Sequence, residues 1–198
     1  MIYYLWRHRF RPRIGSALWF REWGKRGLTL VPLVRFAWRT QALKRAGARV
    51  GFGTVFSEVT AAGKLSFLQV GQESFIGRVT LQLHASVEIG SRVCINDGVQ
   101  ILTASHEVRD PAWRQIAKSI RVGDYAWIAT GAILLPGVTV GRGAVIGAGS
   151  VVNKDIPDYA VAVGNPAKVR EGIRSRELHY RPTTFLAFQA AWLGSPIP

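Results

Sequence analysis

Between Val50 and Pro157 aliphatic residues return at every sixth position. An amphipathic helix would repeat near 3.6 residues and a two-faced strand every two, so neither element explains the spacing. The clearest block reads VGDYAW, IATGAI, LLPGVT, VGRGAV, IGAGSV, VNKDIP, led by Val122, Ile128, Leu134, Val140, Ile146 and Val152, with a small or aliphatic residue four places after each leader. A second block, LHASVE, IGSRVC, INDGVQ, ILTASH, is led by Leu83, Ile89, Ile95 and Ile101, and weaker hexads reach upstream through Ile76, Val70, Phe56 and Val50. Short flat strands turning at corners fit this period, with the leaders and the fifth-place residues inside and the other positions outside. Residues 107–121, EVRDPAWRQIAKSIR, break the register and read as an excursion loop.

The repeat divides the chain into a basic aromatic segment at 1–49, a repeat domain at 50–170 and a tail at 171–198. A length of 198 residues suits one domain with an appendage. The formal charge of +14 is unevenly placed: residues 1–49 carry 12 Lys and Arg against one acid, while the rest is nearly balanced. That segment interleaves arginines with Tyr3, Tyr4, Trp6, Phe10, Trp19, Phe20, Trp23, Phe36 and Trp38, a composition that suits the surface of an anionic membrane. A helical segment that packs its aromatics on the body or on a neighbouring subunit, with its arginines solvated, fits equally well. Nucleic-acid binding has no recognition motif beside the charge. The apolar run Leu28 to Val34 contains Pro32 and is followed by Arg35, too short to span a bilayer. With no secretory h-region after the initial Met and a single cysteine, Cys94, the expected setting is the cytoplasm, with peripheral contact to the inner face of the membrane.

Three runs carry a family resemblance: INDGVQILTASHE, YAWIATGAILLPGVTVGRGAVIGAGSVVNKDIP and VGNPAKVR. They resemble the hexapeptide-repeat acyltransferases, most closely the galactoside, maltose and nodulation-factor O-acetyltransferases and the acetyltransferases of capsule and colanic acid biosynthesis. The likeness covers roughly residues 45–172. It implies an all-β fold, a left-handed parallel β-helix with three hexads to a coil, a handedness that the usual crossover rule would not have supplied. At eighteen residues per coil, the repeat outside the excursion makes about five coils. It also implies a homotrimer with active sites between neighbouring prisms, acetyl-CoA as donor, and a saccharide hydroxyl, in a polysaccharide or lipid-linked intermediate, as acceptor.

Acetyl transfer from a thioester to a hydroxyl needs a base, donors for the tetrahedral oxyanion and a groove for the pantetheine arm. By resemblance His106, directly before the excursion, is that base. Trp127 lines the tunnel, the backbone N–H of Thr130 faces the thioester carbonyl, Ala148, Asn153 and Lys154 contact coenzyme A, and Lys168 lies near its phosphates. Spacing alone suggests Glu88 as the carboxylate that orients His106, since counting back one eighteen-residue coil reaches it and stacked coils lie about 4.8 Å apart; a surface ion pair or no contact fits the spacing as well. The sugar-contacting asparagine and aspartate of the galactoside enzymes align with Ile76 and His84, so the expected acceptor is neither a simple galactoside nor maltose. Asn96, Asp97, Trp113 and Arg114, with His84, are the candidates for the acceptor cleft. Cys94 has no activating neighbour and stays outside the mechanism. A zinc site of three histidines is not expected, because only His84 and His106 lie in the repeat, with His8 and His179 outside it. The rival functions are a small-molecule, xenobiotic or serine-type acetyltransferase on the same fold, and a non-enzymatic scaffold.

Overall fold

A computed structural model describes residues 2–170 and 172–194. The repeat forms a left-handed parallel β-helix whose strands stack into three faces. The first face contains Arg49–Val50, Leu68–Val70, Val87–Ile89, Ile120–Val122 and Thr139–Val140; the second runs from Val55–Phe56 through Cys94–Ile95 and Trp127–Ile128 to Val161–Val163; the third contains Val59–Gly63, Val79–Leu83, Gln100–Leu102, Ile133–Leu134 and Val151–Val152. Five coils are complete, as the hexad count suggests, and a sixth begins where Ile156 bridges Val140 on the first face and Val161–Val163 joins the second. Every leader from Phe56 to Val152 is buried, and so are the fifth-place residues Val87, Val93, Val99, Ala126, Ala132, Val138, Ala144 and Ser150. Together they fill the interior of the prism.

Coil length is less uniform than the repeat implies. In the later coils Ile133 pairs with Val151, eighteen residues on, but earlier Val55 pairs with Phe75 and Thr80 with Gln100, each twenty on. The excursion also differs from its expected bounds of 107–121. It is a two-stranded hairpin in which Ala104–His106 runs antiparallel to Gln115–Ala117, while Ile120–Val122 is already back in the first face with Ile120 fully buried. Ile120 sits two residues ahead of its hexad leader, which is why a six-residue register left it in the loop.

Glycines follow the leaders where the first face turns into the second. At Gly123 an added Cβ would lie 2.6 Å from the backbone nitrogen of Arg142 in the next coil, closer than real carbons come. Stacking at strand spacing leaves no room for a side chain there.

The N-terminal segment is helical and docked. α1 (Ile2–Arg7) and α2 (Ala17–Arg45) pack beside α3 (Ala187–Leu193), so both chain ends join in a second core of Leu5, Leu33, Val55, Phe188, Ala191 and Trp192. Ser16 caps α2 by accepting a hydrogen bond from the Trp19 amide at 3.1 Å. The packed side of α2 follows heptad spacing through Trp19, Glu22, Arg26, Thr29, Leu33, Phe36, Thr40 and Leu43. Arg26, only 3% exposed, donates to the carbonyls of Ala191 at 3.2 Å and Phe10 at 2.5 Å and lies between the rings of Trp23 and Trp192. Glu22 is also buried; burial works against its ionisation, but Lys25 and Arg21 outweigh that and hold its carboxyl below the usual range. The packing reading of the arm thus describes one side of α2, and the other sides remain in solvent.

Two expectations test this architecture. Gly123→Ala should destabilise the protein by about 1–3 kcal/mol in denaturant unfolding, since the next coil's backbone must shift. Leu33→Ala should cost about 2–5 kcal/mol in the same measurement, because α2 seals the second core through that side chain.

Candidate active site

The sequence-derived site residues gather at two edges of the prism. Where the second face turns into the third, Asn96, Trp127, Thr130 and Ala148 come together on successive coils. Trp127 donates its indole N–H to Asn96 Oδ1 at 3.1 Å, which fixes an otherwise half-exposed ring. The amides on either side of Thr130 are used: Ala129 donates to Ile146 O and Gly131 to Asp97 O. The Thr130 amide has no partner among the described residues, so it is an available donor at an edge lined by the small residues Gly131, Ala148 and Gly149.

Where the third face turns into the first lie His84, the departure of the hairpin after Thr103, and the exposed Asn153 and Lys154. Thr103, buried, ties this corner together by accepting from the amide of His84 at 3.0 Å. His106 projects from the hairpin's first strand. Its Nδ1 donates to the carbonyl of Trp113 at 2.7 Å, and the two rings stack 3.7 Å apart and nearly parallel. A ring that donates through Nδ1 carries its free lone pair on Nε2, so the neutral imidazole is set in the tautomer that accepts a proton there. Trp113 is held at φ 49, and its hairpin is braced by Arg114, which donates to Asp110 at 2.8 Å. Lys168 stands apart, on the final strand of the second face, antiparallel to Val161–Val163.

One expected contact is corrected. Glu88 does not meet His106 within the chain; it lies on the first face opposite Arg121, with which it forms an exposed ion pair at 3.3 Å. The eighteen-residue count fails because the chain leaves the prism before completing that coil: His106 lies on the hairpin, and the residue stacked on Glu88 is Arg121, after the chain has returned. The peptide carbonyl of Trp113, and not a carboxylate, orients the His106 ring. Asp97, a candidate for the acceptor cleft, is partly exposed; its carboxylate takes the backbone N–H and the guanidinium of Arg78, each at 2.8 Å, and the backbone hydrogen bond leads in holding its carboxyl below the usual range.

Sequence reasoning missed the contribution of the tail. Arg174, Tyr180, Pro182, Phe185 and Leu186 lie over the second face beside Asn96 and Trp127 and line an open, largely apolar cavity of about 540 Å³. The Arg174 Nε is buried there without a partner among the described residues, while its Nη2 donates to the Tyr180 hydroxyl at 2.9 Å. The tail lies outside the repeat, so no periodic signal marked it. Cys94 lines the same cavity, and burial pushes its thiol up to about 11. At pH 8 Cys94 should therefore react with a maleimide more than about tenfold slower than free cysteine, and denaturation should remove the difference.

Comparison with known proteins follows the same outline. The family model described as bacterial transferase hexapeptide (six repeats) matches residues 119–154. The putative colanic acid biosynthesis acetyltransferase WcaF of Escherichia coli is 32% identical over 164 residues, covering 79% of this chain and 88% of that protein. A putative acetyltransferase of Schizosaccharomyces pombe is 46% identical over 87 residues, a match spanning 42% of each chain. Among solved structures, galactoside acetyltransferase in complex with coenzyme A superimposes with a TM-score of 0.63 at 31% identity, covering 72% of this chain and 73% of that one. Among the described residues no group of His, Cys, Asp and Glu is arranged to hold a metal ion. With its repeat, its coil geometry and the extent of its match to WcaF, this chain belongs to the hexapeptide-repeat acetyltransferase family.

Proposed function

We propose that the protein transfers an acetyl group from acetyl-CoA to a saccharide hydroxyl, with His106 as general base. The observation that carries this reading is the tautomer of His106, whose Nδ1–H is committed to the Trp113 carbonyl and whose Nε2 is left to accept. Nε2 takes the proton as the acceptor oxygen attacks the thioester carbonyl carbon, and the oxyanion that forms meets the Thr130 N–H. Collapse of this intermediate breaks the C–S bond, and the proton on Nε2 passes to the departing thiolate. Trp127, oriented by Asn96, lines the donor's path, with Ala148, Asn153 and Lys154 along the coil edges and Lys168 offered to its phosphates as a point charge.

The spacing of the two edges supports a homotrimer. Thr130 and the corner beyond Leu134 are separated by the width of one face, about six residues, on the order of 15–20 Å at strand rise. A base on one edge and an oxyanion donor on the other serve a single reaction when a neighbouring copy brings its own edge alongside. Trp113, exposed and stacked on His106, offers its outer ring surface to a sugar face, with Arg114 and His84 nearby on the same corner and hairpin. The galactoside, maltose and colanic acid relatives support a saccharide as the acceptor class.

The test is thiol release from acetyl-CoA across a panel of sugars and nucleotide sugars. His106→Ala should lower acceptor-dependent release by about 10²–10⁴. Glu88→Gln should leave turnover within about twofold, because an exposed ion pair contributes little. Equal release by wild type and His106→Ala would remove His106 as the base, and a large loss in Glu88→Gln would restore the carboxylate to the site.

A further inference from the structure

Beyond the packed side that joins the second core, α2 presents two more surfaces. At 100° per residue, Phe20, Trp23, Leu30, Val31, Val34 and Trp38 fall within about 100° of arc. All six are exposed, Phe20 by 62%, Val31 by 60% and Trp38 by 68%. On the far flank Arg21, Lys25, Arg35 and Arg39 form a second row, also at helical spacing. The apolar stripe continues into a groove of about 450 Å³ between α2 and the prism, lined by Ile2, Val34, Trp38 and Phe52 with Lys44 and Arg45. No helix among the described residues is long and apolar enough to cross a membrane.

The charge on this surface is predominantly of one sign, the exception being Glu58 of the prism, whose carboxylate lies 4.0 Å from Arg39. The segment's single acid, Glu22, is buried and engaged by Lys25 and Arg21, so no carboxylate of residues 2–49 offsets the exposed arginines. A second copy of the same surface would meet it with like charge, which argues against a self-association face. An anionic lipid bilayer has the complementary composition: acyl chains for the stripe and groove, and headgroup phosphates for Arg35, Lys44 and Arg45.

We propose that α2 is an interfacial anchor that lays its exposed apolar stripe into the surface of an anionic membrane while its opposite side stays packed on the β-helix. The helix does not fold on contact, as it is already held by the second core and by Arg26. Attachment is therefore that of a preformed surface, and it is independent of the acyl-transfer reading. An acceptor carried on a lipid would then reach the β-helix from the membrane plane.

The experiment is co-sedimentation of the full-length protein with phosphatidylcholine vesicles containing roughly one-third phosphatidylglycerol, and with pure phosphatidylcholine, at about 50 mM and about 500 mM salt. Binding is expected to the anionic vesicles at low salt and to be much weaker in the other conditions. Arg35 and Arg45 have no ion-pair partner among the described residues, and Arg35→Gln with Arg45→Gln should weaken partitioning about 25-fold, near fivefold for each charge. Val31→Ser with Trp38→Ser leaves the charge unchanged and should weaken it more than about tenfold. Both pairs are solvent-exposed, and unchanged circular dichroism and unchanged thiol release with a soluble acceptor would show that the fold is intact. The proposal is overturned if wild type ignores anionic vesicles at low salt. It is also overturned if the serine pair binds like wild type, which would make the contact one of charge alone, as with a nucleic acid. A change of oligomeric state in the serine pair, read by light scattering, would assign the stripe to a subunit interface instead.

Discussion

Everything in this molecule depends on coils stacking at strand spacing around an interior with room for only one or two side chains per hexad. That constraint explains the aliphatic leaders, the small fifth-place residues and the glycines at the first corner. It also makes the edges of the prism rigid. A backbone amide such as that of Thr130 is positioned by carbonyl contacts on both sides of it, from Ile146 and Asp97, so it presents a donor without relying on a mobile side chain.

The hairpin of residues 104–117 shows how such a scaffold accommodates chemistry. A uniform coil offers outward side chains at fixed spacing and little means of orienting a histidine ring. By leaving the prism at Thr103 and returning at Ile120, the chain gains a short antiparallel ladder that brings the Trp113 carbonyl and indole against His106. The ring is fixed by a peptide carbonyl and a stacked surface, both belonging to the hairpin itself. The tail adds a second departure from the repeat, lining an open apolar cavity beside Asn96 and Trp127.

The N-terminal and C-terminal helices meet over the second face, and Phe75 and Leu186 belong both to their core and to the lining of the cavity. Arg26 joins α2 to the carbonyls of Phe10 and Ala191, so the helices form one buttress on the second face. A helix packed through one heptad stripe leaves the rest of its circumference in solvent, and here that remainder is divided between apolar and cationic rows. Packing and surface chemistry thus use different residues of the same helix.

The hexad period alone specified the interior, because a position that recurs every sixth residue on a coil must face the axis, and all leaders from Phe56 to Val152 do so. The family's runs marked Trp127, Thr130 and His106. What a one-dimensional count could not supply was the path of each coil: the hairpin takes His106 off the prism and brings Arg121, not His106, onto Glu88. Nor could it assign partners to polar groups whose contacts lie far apart along the chain, such as Asp97 with Arg78 or Arg26 with Ala191. The sequence by itself determined the period and hence the buried set; the tertiary structure decided the register between coils, the reach of the tail and the orientation of the histidine, since these follow from contacts between segments that share no local pattern.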